Sequence, residues 1–409
     1  MPRSFPHSLH AQYTLFPKKL RLLFIAHLIR YIADQAISMF IPLFLFTQAS
    51  ELAVFNSKWL HGLTELQAGI ALIAVFYFTS HFSELILLIP LTKLMKRLGL
   101  IKSMAFGNVL SVVFYLSLFA AQVSPWALVA AAVLDGLITA AYWISYYTEF
   151  AVHADMKKMG SEVGSILFLE QLFRAAMPMI GGAIIMAFGF GSSYLTAAVL
   201  FMVASIILLF IPEVKFSYEV TFKEFRAWCS KKSFVPTLIG FAGKYVDEAA
   251  FFIWPVFIFL FLGSVQRVGY IYSIVLFISL IVSYFMGWYL GKHKSTKLFM
   301  FTGVILSGMW VLRGFIGQVW HLLVIDTADR LALCIYTPIF ETYFLRKSLG
   351  KKVFHFHVYR AMINSFAAIV FWPVVVCLFM LPLAWTGLFG LATIGILLSM
   401  SMKGGQVEH

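Results

Sequence analysis

The sequence predicts an all-α integral membrane protein in which twelve transmembrane helices form two pseudo-symmetric six-helix bundles. Three observations support this fold class: the composition, the recurrence of long apolar stretches and a similarity between the two halves of the chain. Of the 409 residues, 61% are hydrophobic and only 12% are charged. A soluble globule cannot hide so much apolar surface, so we expect lipid to be the solvent.

Apolar stretches of roughly 20 residues, enough to cross the hydrocarbon core as a helix, recur along the chain. The first is too long for the apolar region of a signal peptide and has no A-x-A-like cleavage site, so we expect it to remain as a helix. In order, the predicted spans one to twelve cover 20–48, 66–91, 100–122, 126–150, 163–188, 191–212, 234–262, 266–290, 296–318, 320–345, 355–381 and 383–402.

The most charged internal connection, 213–233, separates six spans from six. It predicts an N-terminal bundle over 1–212, a cytoplasmic linker over 213–233 and a C-terminal bundle over 234–409. Within the linker, Phe222, Phe225 and Trp228 recur at helical spacing between charged residues. This spacing is typical of a short amphipathic helix at a membrane surface, although a solvated linker explains the charges equally well.

Basic residues are distributed unequally between the two sides of the membrane. Most of the 31 lysines and arginines lie at the termini and in the connections after even-numbered spans, which define what we call the basic side. The connections on the opposite side hold only Lys58, Arg267 and Arg313. Because basic loops resist translocation, we predict a multi-pass protein of the plasma (inner) membrane with both termini cytoplasmic. This asymmetry explains the net charge of +13, so nucleic-acid binding is not indicated.

Spans one and seven repeat one pattern at a constant offset of 213 residues. Five positions match: Asp34 with Asp247, Ala36 with Ala249, Pro42 with Pro255, Phe44 with Phe257 and Phe46 with Phe259. Spans four and ten share an aspartate seven residues before a tyrosine, at Asp135 with Tyr142 and at Asp329 with Tyr336. Duplication of a six-helix unit is the simplest account.

The connection between spans two and three completes a resemblance to a known family. Arg97, Gly99 and Lys102 match the basic loop of the major facilitator superfamily, whereas Lys96 and Thr92 stand where that pattern has an acid and a glycine. Together with the twelve spans and the related halves, the loop resembles this superfamily over the whole chain. The resemblance implies a transporter that works by alternating access between two rocking halves. Topology alone also produces such basic loops.

Two further patterns bear on the direction of transport. In span five, Gly164, Pro178, Gly181 and Gly182 resemble part of an antiporter pattern, and small residues there also allow close helix packing. In span four, Ala132 occupies the arginine position of a pattern common in exporters, which argues against a typical multidrug exporter. On balance the sequence favours export by antiport. Uptake of a polar or anionic metabolite by symport, a lipid or lysolipid translocase, and a sensor without transport remain alternatives.

Ionisable residues inside the spans carry the functional argument. A charge near the bilayer centre costs roughly 2.5 to 3.5 kcal/mol on insertion scales, so these residues should face a cavity or one another. The resemblance places spans one, four, seven and ten around the central path. For Arg30 and Asp34, one helical turn apart, an ion pair and exposure to the cavity are equally favoured. For Asp135 and Arg174, on adjacent helices, a structural ion pair is favoured.

These observations give three groups of predicted site residues. The proton-coupling candidates are carboxylates whose protonation can change as the cavity opens to each side in turn: Asp34, Asp247, Glu248 and Asp135. The substrate-binding candidates supply charge, hydrogen bonds or aromatic walls: Arg30, Tyr31, Gln35, Tyr142, Tyr146, Arg174, Lys244, Trp254, Asp329, Arg330 and Tyr336. The gate candidates lie in the basic loop or near the basic-side helix ends: Lys96, Arg97, Gly99, Lys102, Glu149 and Arg360.

Other classes of protein lack their signatures. The stretch from Gly287 to Lys292 continues with His293, so it does not have the spacing of a phosphate-binding loop. The chain has no H-E-x-x-H or G-x-S-x-G motif, and its three cysteines have no C-x-x-C pairing. We therefore predict no enzyme activity, metal or cofactor. The predicted partners are a small-molecule substrate, protons and the lipid bilayer, and a monomer suffices for this architecture.

Overall fold

Helices account for nearly all of the chain that the computed structural model describes, which is residues 16–49, 62–153, 160–213, 219–292, 296–348 and 353–402. In the N-terminal half, α1 comprises Phe16–Ile37 and Ile41–Gln48, joined by a 3-10 turn at Ser38–Phe40. It is followed by α2, Glu65–Leu98, and α3, Leu100–Ala120. The next helix, α4, comprises Trp126–Ile138 and Ile144–His153, joined by a π-helical turn at Thr139–Trp143. The segment Gly160–Leu209 contains α5, 160–188, and α6, 190–209.

The C-terminal half repeats the arrangement after the linker helix, Phe222–Cys229. Its six helices are α7, Val235–Leu262; α8, Val265–Lys292; α9, Thr296–Leu312; α10, Val319–Ser348; α11, Val353–Met380; and α12, Ala384–Ser399. Helices α1 to α12 correspond to predicted spans one to twelve, with ends that differ by a few residues. The predicted fold class is confirmed.

Helix length and composition fit a membrane protein. Over the described ranges, nine segments are long and apolar enough to cross a bilayer, and one of them, Leu169–Leu209, contains both α5 and α6. α10, which carries three charged residues near its middle, and the shorter apolar α12 fall outside these nine.

The boundary between α5 and α6 lies where glycine is required. Gly189 has φ +78° and ψ 171°, a conformation that L side chains rarely adopt. The single residue ends one helix and starts the next, so the chain turns back without a loop.

The two most extensive contacts between the halves, over the described residues, are α5 with α8 and α2 with α11. Along the α5–α8 seam, an added Cβ at Gly269 of α8 would lie 2.4 Å from the carbonyl oxygen of Pro178 in α5, and the backbone N–H of Met179 donates to the Ser273 hydroxyl at 2.9 Å. The second contact packs α2 against α11, where the Glu84 carboxylate accepts a hydrogen bond from the Ser365 hydroxyl at 2.8 Å. Both contacts bring backbones of the two halves close together.

Of the two alternatives that the sequence left open for the linker, the structure shows a short helix, Phe222–Cys229. Thr221 and Glu224 form a capping box, in which each side chain accepts a hydrogen bond from the other residue's backbone N–H. Phe225 is buried, and Trp228 packs against Phe356 and Tyr359 of α11. The apolar face of the linker helix therefore packs on the C-terminal half.

Candidate functional site

Aromatic side chains surround His27 of α1 in the N-terminal half. Its ring stacks on Tyr146 at 4.0 Å between centroids, and Nδ1 lies 2.9 Å from the Tyr142 hydroxyl. Nε2 lies 3.4 Å from the Glu170 carboxylate on α5. Tyr31, half-buried one turn further along α1, has its ring 6.0 Å from the same imidazole. The sequence-predicted residues Tyr31, Tyr142 and Tyr146 therefore share one cluster, which also contains a histidine and a carboxylate.

The Arg30 side chain is buried and bonds away from Asp34. Its guanidinium donates to the Asn108 amide oxygen at 2.8 Å and to the Ser111 hydroxyl at 3.1 Å, both on α3. It also lies 3.7 Å above the centre of the Tyr142 ring, a cation–π geometry. Of the two arrangements that the sequence left open, the structure shows no Arg30–Asp34 ion pair. The hydrogen bonds of Arg30 therefore go to neutral groups on α3.

Asp34 and Asp135 are less deeply buried than Arg30. Asp34 and Gln35 are half-buried, and the Gln35 amide donates to the carboxylate at 3.4 Å. Asp135 accepts a hydrogen bond from the Ser80 hydroxyl at 2.7 Å, whereas Arg174 is exposed. The structure shows no ion pair between Asp135 and Arg174, which the sequence analysis favoured, because Asp135 is bonded to Ser80 and Arg174 is exposed.

Lys244, Asp247 and Glu248 form the corresponding group in the C-terminal half. The Lys244 ammonium donates to the buried Asp247 carboxylate at 2.9 Å and lies 3.7 Å from Glu248. The other oxygen of Asp247 accepts from the Trp310 indole N–H at 2.8 Å. Side-chain exposure separates the two acids, because it is 2% for Asp247 and 46% for Glu248. Lys244 therefore lies between a buried carboxylate, Asp247, and an exposed one, Glu248.

A second buried charge cluster lies between the opposite-side end of α9 and α10. Arg313 donates to the Asp326 carboxylate at 3.0 Å, and the same nitrogen, Nη2, lies 3.4 Å from Asp329. The Trp254 indole N–H donates to the other Asp326 oxygen at 2.9 Å, and the guanidinium lies 4.0 Å from the centre of the Trp310 ring. Trp310 therefore contacts both this cluster and Asp247.

Arg313 corrects the sequence analysis, which placed it in a connection on the opposite side. Its exposed fraction is 1%, and it lies in a 3-10 turn, Arg313–Phe315, that continues α9. Two aspartates in the next span could have indicated a buried partner for Arg313. The arginine was assigned to a loop because it lies at the end of an apolar stretch. Lys58, assigned to the same side, lies outside the described residues.

The remaining predicted residues of α10 contact aromatic rings. Arg330 is half-buried, with its guanidinium 4.5 Å from the centre of the Phe251 ring. Tyr336 is fully buried, stacks on Phe299 and forms a hydrogen bond with the Ser399 hydroxyl. Buried against α9 and α12, Tyr336 packs within the C-terminal half.

A carboxylate and aromatic rings also meet at the α2–α11 contact. His81 Nδ1 lies 3.0 Å from Glu84, whose exposed fraction is 2%. Tyr77 of α2 stacks on Trp372 of α11 at 5.1 Å, and the Trp372 indole N–H donates to the Tyr245 hydroxyl of α7 at 3.0 Å. The two halves therefore meet here through specific hydrogen bonds and stacked rings.

On the basic side, acids from outside the loop compensate for the acid missing from the family pattern. The Lys96 ammonium forms an ion pair with Glu219 of the linker, and this hydrogen bond holds the pKa of the Glu219 carboxyl below its usual range. Glu213 accepts hydrogen bonds from the backbone N–H groups of Ile101 and Lys102, which caps the first turn of α3.

Gly99 separates α2 from α3 with φ +91°, and an added Cβ there would lie 2.2 Å from the Glu213 carboxyl group. Only glycine fits both this backbone conformation and this space. The Arg97 and Lys102 side chains are exposed.

The other two gate candidates lie where α4 approaches α11. Arg360 forms a bidentate pair with Glu341 of α10, with N···O distances of 2.9 and 3.0 Å. Glu149 is buried near the basic-side end of α4. Nearby, the Tyr147 ring stacks on His357 across the halves at 5.4 Å. Contacts between the halves therefore exist on the basic side as well as at mid-depth.

Over the described ranges, no group of three or more histidines, cysteines, aspartates or glutamates has a metal-binding arrangement. The charged groups bind one another, aromatic rings or backbone amides.

Comparisons with known proteins agree with this geometry. The family model described as Major Facilitator Superfamily matches residues 23–344. No curated protein matches the chain significantly in sequence.

Solved structures show the same fold at low identity. A D-xylose–proton symporter has a TM-score of 0.68 and 13% identity, with 95% of this chain and 97% of that chain covered. A POT family transporter in complex with a thioalcohol-conjugated peptide has a TM-score of 0.66 and 12% identity, with 93% and 94% covered. The nucleoside transporter NupG has a TM-score of 0.64 and 12% identity, with 94% and 98% covered. Because the family model matches most of the sequence, the chain belongs to the Major Facilitator Superfamily and is a multi-pass membrane transporter, not an enzyme.

Proposed function

We propose that this protein is a proton-coupled secondary transporter of a small organic solute that carries polar or charged groups. The observation that carries this proposal is the set of charged side chains in the spanning segments of both halves that remain partly exposed. Asp34 and Glu248 are partly exposed acids, and Arg174 is an exposed base. Groups of both signs suit a zwitterionic or anionic solute, while Tyr31 and Tyr147 offer apolar walls with polar tips.

Proton coupling rests on Asp34 and Asp247, which occupy matching positions in the two halves. Asp34 is half-buried beside a neutral amide, and Asp247 is fixed by Lys244 and Trp310. A carboxyl group whose access to water alternates between two sides can bind a proton on one side and release it on the other. The two environments differ, so we assign proton exchange with the cavity to Asp34 and closure of the C-terminal half to the Lys244–Asp247 pair.

Export in exchange for protons is the proposed direction. Its support is the glycine and proline pattern of α5, in which an added Cβ at Gly181 would lie 1.8 Å from the backbone oxygen of Ala36. The pattern therefore also maintains the packing of α5 on α1. The solved symporters share only the fold with this chain, since their identity is far below the level at which coupling can be transferred.

Proton flux in proteoliposomes tests the proposal. Purified protein is reconstituted with an internal pH dye and exposed to a library of metabolites and amphipathic cations. We expect some compound to move protons with the wild type and with Glu65→Gln, an exposed carboxylate-to-amide control at the start of α2, but not with Asp34→Asn.

The sign of the pH change identifies the coupling. Entry of solute that raises the internal pH indicates antiport, and entry that lowers it indicates symport, whichever way the protein is oriented. Solute entry without proton movement would refute proton coupling. If no compound crosses, the lipid-translocase and sensor alternatives replace the proposal.

We also infer that both termini lie in the cytoplasm and that the protein resides in the plasma membrane. The unequal distribution of lysine and arginine supports this orientation. A reporter that is active only in the cytoplasm should be active when it is fused to either terminus. A periplasmic or extracellular signal from either fusion would contradict the inference.

A further inference from the structure

Three buried aspartates of the C-terminal half differ in how they are satisfied. Asp247 accepts hydrogen bonds from Lys244 and Trp310, and Asp326 accepts them from Trp254 and Arg313. Asp329 has an exposed fraction of 0%, and neither of its carboxyl oxygens has a hydrogen-bond partner. The three acids therefore have similar burial but unequal hydrogen bonding.

The bases near Asp329 are engaged elsewhere. Arg313 Nη2 lies 3.4 Å from it but donates its hydrogen bond to Asp326. The Arg330 guanidinium lies over the Phe251 ring. The charged and titratable groups around Asp329 come from three helices and one turn: Asp247 on α7, Tyr272 on α8, Arg313 in the turn after α9, and Asp326 and Arg330 on α10.

A buried carboxylate is costly unless donors satisfy its oxygens, and the cost falls when the group is neutral. We propose that Asp329 holds a proton in this conformation and is the proton-binding carboxyl of the C-terminal half. This assignment rests on the proposed proton-coupled function and gives the C-terminal half a proton site at Asp329, whereas the donors to Asp247 stabilise the ionised form of that acid.

Arg313 is the positioning residue that releases the proton. Its Nε and Nη1 groups have no hydrogen-bond partner, so the guanidinium has donors to spare. When the cluster opens to water, Arg313 reorients so that one of these unused donors forms a hydrogen bond with Asp329. The O–H bond of the acid then breaks, the proton passes to water, and the carboxylate stays paired with Arg313. Asp326 retains its bond from Trp254 throughout.

Infrared difference spectroscopy tests the proton directly and needs no substrate. The full-length protein in liposomes is titrated while the C=O band of protonated carboxyl groups is recorded. We expect a band that disappears at high pH in the wild type, is missing in Asp329→Asn and is retained in Glu65→Gln, an exposed carboxylate-to-amide control outside the cluster. Persistence of the whole band in folded Asp329→Asn would overturn the proposal.

A second variant covers the case in which the asparagine substitution prevents folding. Asp329→Glu keeps a titratable carboxyl group in a different position, so its band should shift in frequency or midpoint, and an unchanged band would also overturn the proposal. In transport, Asp329→Asn should still exchange solute at equal pH but should lose accumulation driven by a pH gradient. If the wild type transports nothing, the proposed function fails, whereas the infrared band still decides where the proton resides.

Discussion

A double-mutant cycle should show that Lys244 and Asp247 are energetically coupled, whereas Arg30 and Asp34 of the N-terminal half are not. Removing one partner of a buried ion pair costs about 3 to 5 kcal/mol. Lys244→Met should fall near the lower limit, because the remaining carboxylate keeps its bond from Trp310. Asp247→Asn should cost less, about 1 to 2 kcal/mol, since its amide oxygen can still accept that bond and Lys244 still has Glu248 at 3.7 Å.

The double variant Lys244→Met with Asp247→Asn removes both charges. Its cost should fall short of the sum of the single costs by about 2 kcal/mol, within the range for contacting residues. The measurement is the free energy of unfolding of each variant in one detergent or lipid system.

A matched cycle on Arg30→Met and Asp34→Asn provides the control, because the structure shows no ion pair between those residues. Their effects should add to within about 0.5 kcal/mol, as for separate sites. Equal coupling in the two halves, or none at Lys244, would refute the reasoning.

Three more predictions concern packing and the basic side. Gly181→Ala forces α5 away from α1 and should destabilise the fold by about 1 to 3 kcal/mol, whereas Gly308→Ala, with no atom within 4 Å of the added Cβ, should leave the melting temperature unchanged or raise it. Glu213→Gln weakens the cap of α3 and should cost about 0.5 to 2 kcal/mol, seen as faster hydrogen exchange in the first turn of that helix, so unchanged exchange there would contradict the cap. Lys96 lowers the pKa of Glu219, so the ion pair between them should be fully formed above the ordinary titration range of a glutamate and should be lost as the pH falls through the lowered pKa, or in high salt. Spin labels on the linker and on the loop between α2 and α3 should then move apart. Exchanging the two charged residues should restore the original distance between the labels.

The fold could be predicted almost entirely from the sequence because its strongest signal is local. Each span requires enough consecutive apolar residues to cross lipid, so hydropathy alone located all twelve helices. Even the break between α5 and α6 follows from Gly189, since few other residues adopt its conformation. The π-helical turn at Thr139–Trp143 could not be predicted, because no composition distinguishes it from an ordinary turn.

The candidate site could be predicted as a set of residues but not as a set of contacts. The aspartates and bases of spans one, four, seven and ten stand out as charges in apolar helices. Their partners depend on neighbouring helices: Arg30 bonds to Asn108, which no charge pattern indicates, and Trp310 joins two clusters through one indole ring. Arg313 was misplaced because position along the chain is a poor guide to depth at a helix end.

The α5–α8 seam also affects how the two halves can move. Where Gly269 lies against the carbonyl of Pro178, the facing surfaces are backbone rather than interlocked side chains. If the halves roll along this backbone contact, few side chains there must change rotamer, so side-chain repacking adds little to the energy barrier. The Met179–Ser273 hydrogen bond crosses this contact, so the halves can roll along it only if that bond lengthens or breaks.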